Sequence, residues 1–206
     1  MKKLLLLCTV FFAALFYDAH SQAQEISVPT SRTITTDYGS FEVTEPILLK
    51  LFDHPALVRI KDVEQYGIDK YVCPEYPSYS RYKHCVGVWA LLRLFGASLE
   101  EQIAGLLHDV SHTVFSHAGD RLFKHASTTS SYQDTIHEWY LDMMGIRQIL
   151  QEYGISMYAI VHNKNVNFML EQPLPDVCAD RLEYNLQGGG KSHYSQYSFR
   201  KRQLVF

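Results

Sequence analysis

The sequence lacks the features that would place it among disulfide-rich, nucleic-acid-binding or repeat proteins. Its 206 residues include four cysteines. One lies in an N-terminal apolar run, and the other three have no paired short spacing, which does not suit a disulfide framework. The formal net charge is -3 and no block of Lys or Arg forms a basic stripe, so no clear nucleic-acid surface is predicted. No internal repeat precedes the C-terminal tail. The remaining composition is that of one globular domain with a sizeable core.

The N-terminal segment has the order of a secretory signal peptide. Two lysines precede the apolar run Leu4–Phe16, and small and polar residues follow it. The run is too short to cross a hydrocarbon layer of roughly 30 Å as a helix. We therefore expect residues 1–23 to be cleaved, the mature protein to be periplasmic or secreted, and no transmembrane segment to remain. The protein stays cytoplasmic if the signal is not used.

The spacing of apolar residues predicts an all-α domain with a short extended N-terminal arm. Residues 24–44 are rich in Thr, Ser and β-branched residues, and they predict the arm, with a short strand around residues 33–43. The domain is predicted over residues 45–187, and a polar, basic, disordered or truncated tail over residues 188–206. A loop is predicted at residues 69–80. Helices are predicted at residues 47–52, from Pro55 onward and at residues 81–95. A further helix is predicted from a Ser98/Glu101 capping box through Val110. The last predicted helices lie at residues 133–144, 146–153, 157–162 and 176–186.

An adjacent His108-Asp109 pair at the end of one predicted helix is the main chemical signal. It offers a neutral nitrogen and an anionic oxygen, a mixed ligand set that suits a hydrolytic divalent cation. His84 lies upstream and Asp180 downstream of this pair. Taken singly, His84 also fits a buried core histidine, and Asp180 fits a helix cap or a partner of Arg181.

Five motifs occur in the following order: Ser80-Arg81-Tyr82-Lys83-His84, Gly87-Val88, Gly105-Leu106-Leu107-His108-Asp109, Phe115-Ser116-His117 and Asp180-Arg181-Leu182-Glu183-Tyr184. Together they resemble the HD-domain metal-dependent phosphohydrolases, and within these the deoxynucleoside triphosphate triphosphohydrolase branch. The resemblance extends from about Glu45 to Leu186, and it implies that the all-α domain is an HD-domain helical bundle.

The resemblance implies that the metal ligands are His84, His108, Asp109 and Asp180, drawn from three helices. Two carboxylates balance a divalent charge, and four protein ligands leave positions for water and a phosphate oxygen. Such ligands accept a divalent ion without distinguishing Mn, Fe, Mg, Zn, Ni and Co.

The resemblance also implies a second group of residues around the metal. Positions that orient water, move protons and contact phosphate match His112, His117, Asp120 and His137. Histidine suits these roles because its ordinary pKa lies near neutrality. From the helical period, His112 is expected one turn after His108, on the same side of one helix. Positions beside the substrate match Gln65, Arg81, Arg181 and Tyr184, the two arginines as phosphate contacts. Each of these residues, read singly, also fits an ordinary surface or core position.

Two departures from the family pattern bear on activity. Ser111 replaces the usual glycine, and the residues after Leu186 lack a charged pair that includes a carboxylate beside the sugar hydroxyl. The leading hypothesis is a metal-dependent phosphohydrolase of nucleotides, with deoxynucleoside triphosphates as the substrate class. The alternatives are a catalytically inactive metal- or nucleotide-binding module and a nucleotide phosphodiesterase. The expected partner is a small-molecule phosphate ester or nucleotide. The sequence leaves open whether copies of the chain form a homo-oligomer.

Overall fold

A computed structural model describes residues 30–72, 78–121, 131–162 and 168–189 of the chain. The predicted signal peptide, the first part of the arm and nearly all of the predicted tail lie outside these residues. Within the described parts, no helix combines the length and the apolar character needed to cross a membrane.

An antiparallel β-hairpin precedes the helices. Strand β1 (Arg32–Thr36) pairs with strand β2 (Gly39–Val43). The prediction of a single strand across this region was therefore wrong in detail. The chain reverses within it because Asp37 and Tyr38 form a two-residue turn and Gly39 adopts a φ of +136°, which glycine tolerates.

The rest of the described chain is helical, and the predicted all-α fold with its extended N-terminal arm is confirmed. The helices are α1 (Pro46–Phe52), α2 (Pro55–Arg59), α3 (Asp69–Val72), α4 (Arg81–Leu94), α5 (Leu99–Leu107), α6 (Tyr132–Met143), α7 (Ile146–Glu152), α8 (Met157–Val161) and α9 (Ala179–Gly189). Short 3-10 helices lie at Ile60–Asp62 and Ser116–Arg121.

Three boundaries differ from the sequence prediction. The segment predicted as a loop at residues 69–80 contains the short helix α3. Helix α9 begins at Ala179 rather than at residue 176, because the preceding carbonyls belong to a loop held by the Arg181 side chain. Helix α5 ends at Leu107, although the apolar pattern continues to Val110. The sequence prediction therefore placed the end of α5 three residues too late.

Serine side chains cap the starts of helices α4 and α5. The Ser80 hydroxyl accepts the backbone N–H of Lys83 at the start of α4. The Ser98 hydroxyl accepts the backbone N–H of Glu101 at the start of α5, which is half of the predicted capping box. These bonds satisfy N–H groups that the first turn of a helix otherwise leaves unpaired. The other half of the predicted capping box was wrong, because the Glu101 carboxylate accepts the backbone N–H groups of Met169 and Leu170 instead.

Helix α4 is the centre of the core. The Trp89 ring is fully buried and meets Phe41 and Phe52 edge to face, at centroid distances of 5.6 and 5.0 Å. A tight connection between α4 and α5 makes the two helices antiparallel neighbours. The start of α4 therefore lies beside the end of α5, and this places His84 next to His108.

Candidate metal centre

The four predicted metal ligands lie together, where α4, the end of α5 and the start of α9 meet. His84 Nε2 is 3.2 Å from His108 Nε2 and 2.9 Å from Asp180 Oδ1. Asp109 Oδ2 is 3.6 Å from His108 Nε2 and 3.8 Å from His84 Nε2. The His84, His108 and Asp109 ligand atoms lie within 4.8 Å of one another, and Asp180 Oδ1 approaches both imidazoles, at 2.9 Å from His84 Nε2 and 3.6 Å from His108 Nε2.

Hydrogen bonds on the far side of both imidazoles determine which nitrogens face the candidate centre. His84 Nδ1 is 2.5 Å from Glu183 Oε2, and His108 Nδ1 is 2.7 Å from the Gly105 carbonyl oxygen. Both acceptors assign the proton to Nδ1, so each Nε2 presents a lone pair. Two lone pairs 3.2 Å apart repel unless a positive charge lies between them. The donor set therefore fits a divalent cation.

The electrostatic environment favours positive charge at the same place. Burial alone would lower the pKa of His108, but the neighbouring Asp109 carboxylate raises it well above its ordinary value. Burial likewise opposes the rise at His84, where hydrogen bonds to Asp180 and Glu183 raise the pKa. The carboxylates around both imidazoles therefore favour positive charge between them.

Arg81 pairs with the same Asp109 oxygen that faces the two imidazoles. Its side chain is 1% exposed, and Nη1 donates to Asp109 Oδ2. Its other donors reach the Ser116 hydroxyl and the Gln65 carbonyl oxygen, both at 3.0 Å. Burial would raise the pKa of Asp109, but the charge of Arg81 outweighs that effect and holds the pKa well below its usual range. The structure thus places this arginine against a predicted metal ligand, and its contact with phosphate stays a prediction.

His112 and His117 lie on the Asp109 side of the centre. The expectation that His112 follows His108 along one helix was wrong, because α5 has ended and residues 108–111 form a turn. This turn brings His112 Nε2 to 3.3 Å from Asp109 Oδ1. The His117 ring meets the His112 ring edge to face, with centroids 4.9 Å apart.

His137, on α6, lies beside Ser111, which is two residues after Asp109. Its Nδ1 lies 2.9 Å from the Ser111 hydroxyl, which also contacts the Gln133 side chain. Burial is the main reason that the pKa of His137 falls to about 4, so its imidazole is neutral near neutral pH. Asp120 belongs to the second 3-10 helix, and its side chain lies outside the described part of the structure.

The remaining predicted substrate residues lie in the segment after the first 3-10 helix and on α9. Gln65 contacts Arg81 through its backbone, and its side-chain oxygen is buried without a hydrogen-bond partner among the described residues. Tyr184 lies one helical turn after Asp180 on α9. The Arg181 guanidinium donates to the carbonyls of Gln172 and Asp176, so its described contacts support a loop.

Sequence reasoning assigned no role to Glu183. It is fully buried and accepts a hydrogen bond from His84. Its spacing of three residues from Asp180 places both on one face of α9, and this was the available signal. Gln133 was also missed. Its amide donates to the His108 carbonyl oxygen at 3.3 Å and its side chain contacts Ser111, but nothing in its local sequence indicates these contacts.

Comparison with known proteins gives a consistent result. The sequence profile of the HD domain matches residues 81–165. An uncharacterized protein of Bacillus subtilis, YdhJ, is 35% identical over 150 residues, which are 73% of this chain and 45% of that protein. The metal-dependent phosphohydrolase cns2 of Cordyceps militaris is 35% identical over 150 residues, 73% of this chain and 42% of that protein. The deoxynucleoside triphosphate triphosphohydrolase SAMHD1 of Homo sapiens is 26% identical over 182 residues, 77% of this chain and 28% of that protein. The chain thus spans less than half the length of these relatives.

Proposed function

Because the chain belongs to the HD-domain superfamily of metal-dependent phosphohydrolases, we propose that it hydrolyses phosphate esters or anhydrides of nucleotides, with deoxynucleoside triphosphates as the substrate class. The observation that carries the proposal is the convergence of His84, His108, Asp109 and Asp180 on one volume. A relative named as a deoxynucleoside triphosphate triphosphohydrolase supports the substrate class.

The four converging residues are the proposed ligands of a divalent ion. Their two carboxylates match its charge, and their two imidazoles present Nε2 lone pairs. When bound, such an ion would polarise a phosphate group and lower the pKa of a water molecule. Arg81 keeps Asp109 ionised and oriented, so this carboxylate is available as a ligand across the neutral pH range.

The histidines beside the ligands have the protonation state that proton transfer requires. Burial lowers the pKa of both His112 and His137, so each imidazole is neutral near neutral pH and has a free position for a proton. His112 is oriented by Asp109 and His137 by Ser111. We propose that these two residues and His117 orient water and accept or return the proton. Gln65 and Tyr184 are the proposed contacts to the sugar.

The experiment compares Asp109→Asn with Asp142→Asn. The first removes a charged ligand while keeping the side-chain shape, and the second removes an exposed carboxylate on α6 that pairs with Arg147. Purified proteins are loaded with Mn²⁺ or Fe²⁺, analysed for metal content and incubated with a nucleotide panel. We expect the wild type and Asp142→Asn to hold metal and release phosphate or triphosphate, and Asp109→Asn to lose both properties. Undiminished activity of Asp109→Asn would overturn the mechanism.

The product pattern separates the proposed activity from its alternatives. Metal binding and ligand-induced melting shifts without any product favour the inactive binding module. Cleavage of phosphodiester bonds in cyclic or linear nucleotides favours the phosphodiesterase.

Export is a separate proposal that rests on residues 1–23 alone. Fractionation of cells that express the full chain, with mass analysis of the mature N-terminus, tests it. We expect a cleaved form outside the cytoplasm. An intact cytoplasmic form contradicts the proposal.

A further inference from the structure

A chain of two hydrogen bonds connects the β-hairpin to the metal centre. The Tyr38 hydroxyl, in the hairpin turn, donates to Glu183 Oε1 at 3.2 Å. The other oxygen, Glu183 Oε2, lies 2.5 Å from His84 Nδ1. His84 and Glu183 are both fully buried, so water does not compete for these bonds. One carboxylate therefore joins a hairpin residue to a metal ligand.

The same turn is fastened to both helices that supply these partners. Asp37 Oδ2 is 2.7 Å from Lys83 Nζ on α4 and 2.7 Å from Gln187 Nε2 on α9. Lys83 precedes His84, and Gln187 lies one helical turn after Glu183. The Asp37 contacts therefore hold the turn at the place where Tyr38 reaches Glu183.

This arrangement has a physical consequence for the imidazole. A carboxylate that accepts the Nδ1 proton fixes the tautomer and ring orientation of a metal-binding histidine, and loss of such a partner weakens metal binding. A carboxylate with one hydrogen bond rotates about its terminal torsion, whereas a bond to each oxygen restricts that rotation. Tyr38 supplies the second bond.

We propose that the β-hairpin is part of the metal centre and that Tyr38 is a positioning residue, acting on His84 through Glu183. The inference rests on the proposed metal site. It extends that site beyond the matched HD region at residues 81–165, to a turn more than forty residues before it. The hairpin thereby affects how tightly the ion is held and not only how stable the fold is.

The test uses Tyr38→Phe, which removes one hydroxyl and keeps the ring. The matched control is Tyr82→Phe, which removes a hydroxyl on α4 near the same turn, from a ring packed beneath Lys61. Glu183→Gln serves as a second variant, because it removes the carboxylate charge that lies between Tyr38 and His84. Mn²⁺ affinity is measured by competition with a chelator of known affinity, and the melting temperature is measured without metal.

We expect Tyr38→Phe to weaken Mn²⁺ binding by about 10-fold and Glu183→Gln by up to about 100-fold, the range for partners of metal-binding histidines. We expect Tyr82→Phe to bind like the wild type. A lower melting temperature of Tyr38→Phe with unchanged Mn²⁺ affinity means a purely structural role and overturns the inference alone. Failure of the wild type itself to bind Mn²⁺ or another divalent ion would overturn both the inference and the proposed function.

Discussion

Gly87 on α4 lies directly against Glu183 on α9. A Cβ atom at Gly87 would be 2.8 Å from Glu183 Cδ, closer than two such atoms can approach. The absence of a side chain at this position therefore allows Glu183 to reach His84. Gly105 has a related role in the core, where a Cβ would lie 3.2 Å from Val88 Cγ1 and would also collide with the end of Leu92.

Gly87 gives a prediction for which Gly154 provides the control. Gly154→Ala introduces a side chain at a residue whose φ is +69°, and we expect it to lower the free energy of unfolding by about 1–2 kcal/mol without changing metal affinity. Gly87→Ala displaces Glu183, and we expect it to weaken Mn²⁺ binding by about 10- to 100-fold. Chelator competition and urea unfolding measure the two effects. Equal Mn²⁺ affinity of the two variants contradicts the prediction.

Removal of the Arg81 side chain is expected to lower the free energy of unfolding by an amount that depends on bound metal. Arg81→Met leaves the buried Asp109 carboxylate without its partner, a change that typically costs about 3–5 kcal/mol. A bound cation compensates that charge, so we expect a smaller loss of stability with Mn²⁺ than with chelator. The control is Arg147→Met, which breaks exposed ion pairs that contribute little to stability because water screens them. Urea unfolding with and without metal provides the measurement. An Arg81→Met loss of equal size in both conditions argues against the pairing.

Ser111 is expected to act on turnover rather than on metal binding. Ser111→Ala removes the hydroxyl beside His137 Nδ1 and leaves all four proposed ligands in place. We expect kcat to fall by roughly 10- to 100-fold because the imidazole loses its orientation, while Mn²⁺ affinity stays constant. The control is Ser156→Ala, which removes the cap of α8 and costs about 1 kcal/mol of stability. Unchanged kcat in Ser111→Ala would show that this hydrogen bond does not position a reacting group.

The low pKa of His137 predicts how the stability of the metal-free protein depends on pH. Its pKa is about 4 in the folded protein, whereas an exposed histidine has an ordinary pKa of 6.5. As pH falls between these values, the unfolded chain takes up the proton first, so stability is lost across this window. We expect His137→Asn to flatten the dependence of the unfolding free energy on pH between these values. Denaturant unfolding in chelator at several pH values measures the slope, and an identical slope in the variant contradicts the assignment.

The sequence was sufficient to find the described helices other than α3, and the proposed ligands, because the periodic and motif signals for them are local. Apolar residues repeat with the helical period, and Ser80 and Ser98 cap their helices through residues three positions away. The family motifs then selected His84, His108, Asp109 and Asp180 from among many polar residues.

The missed features depend on contacts between distant parts of the chain. Tyr38 and Glu183 are 145 residues apart, and Arg81 and Asp109 are 28 apart. Neither pairing leaves a periodic signal in the sequence. The turn after Leu107 was missed for a different reason. Val110 is buried and continues the apolar period of α5, although the backbone has already left the helix.

The separation of these groups along the chain determines when the centre is complete during synthesis. The hairpin emerges from the ribosome first, His84 and the His108-Asp109 pair follow, and Asp180 and Glu183 come with the last described helix. A nascent chain that lacks α9 therefore has neither the fourth proposed ligand nor the acceptor for His84. Tight metal uptake has to wait until the two ends of the described chain have docked. The ion then stabilises only chains that have folded to that point.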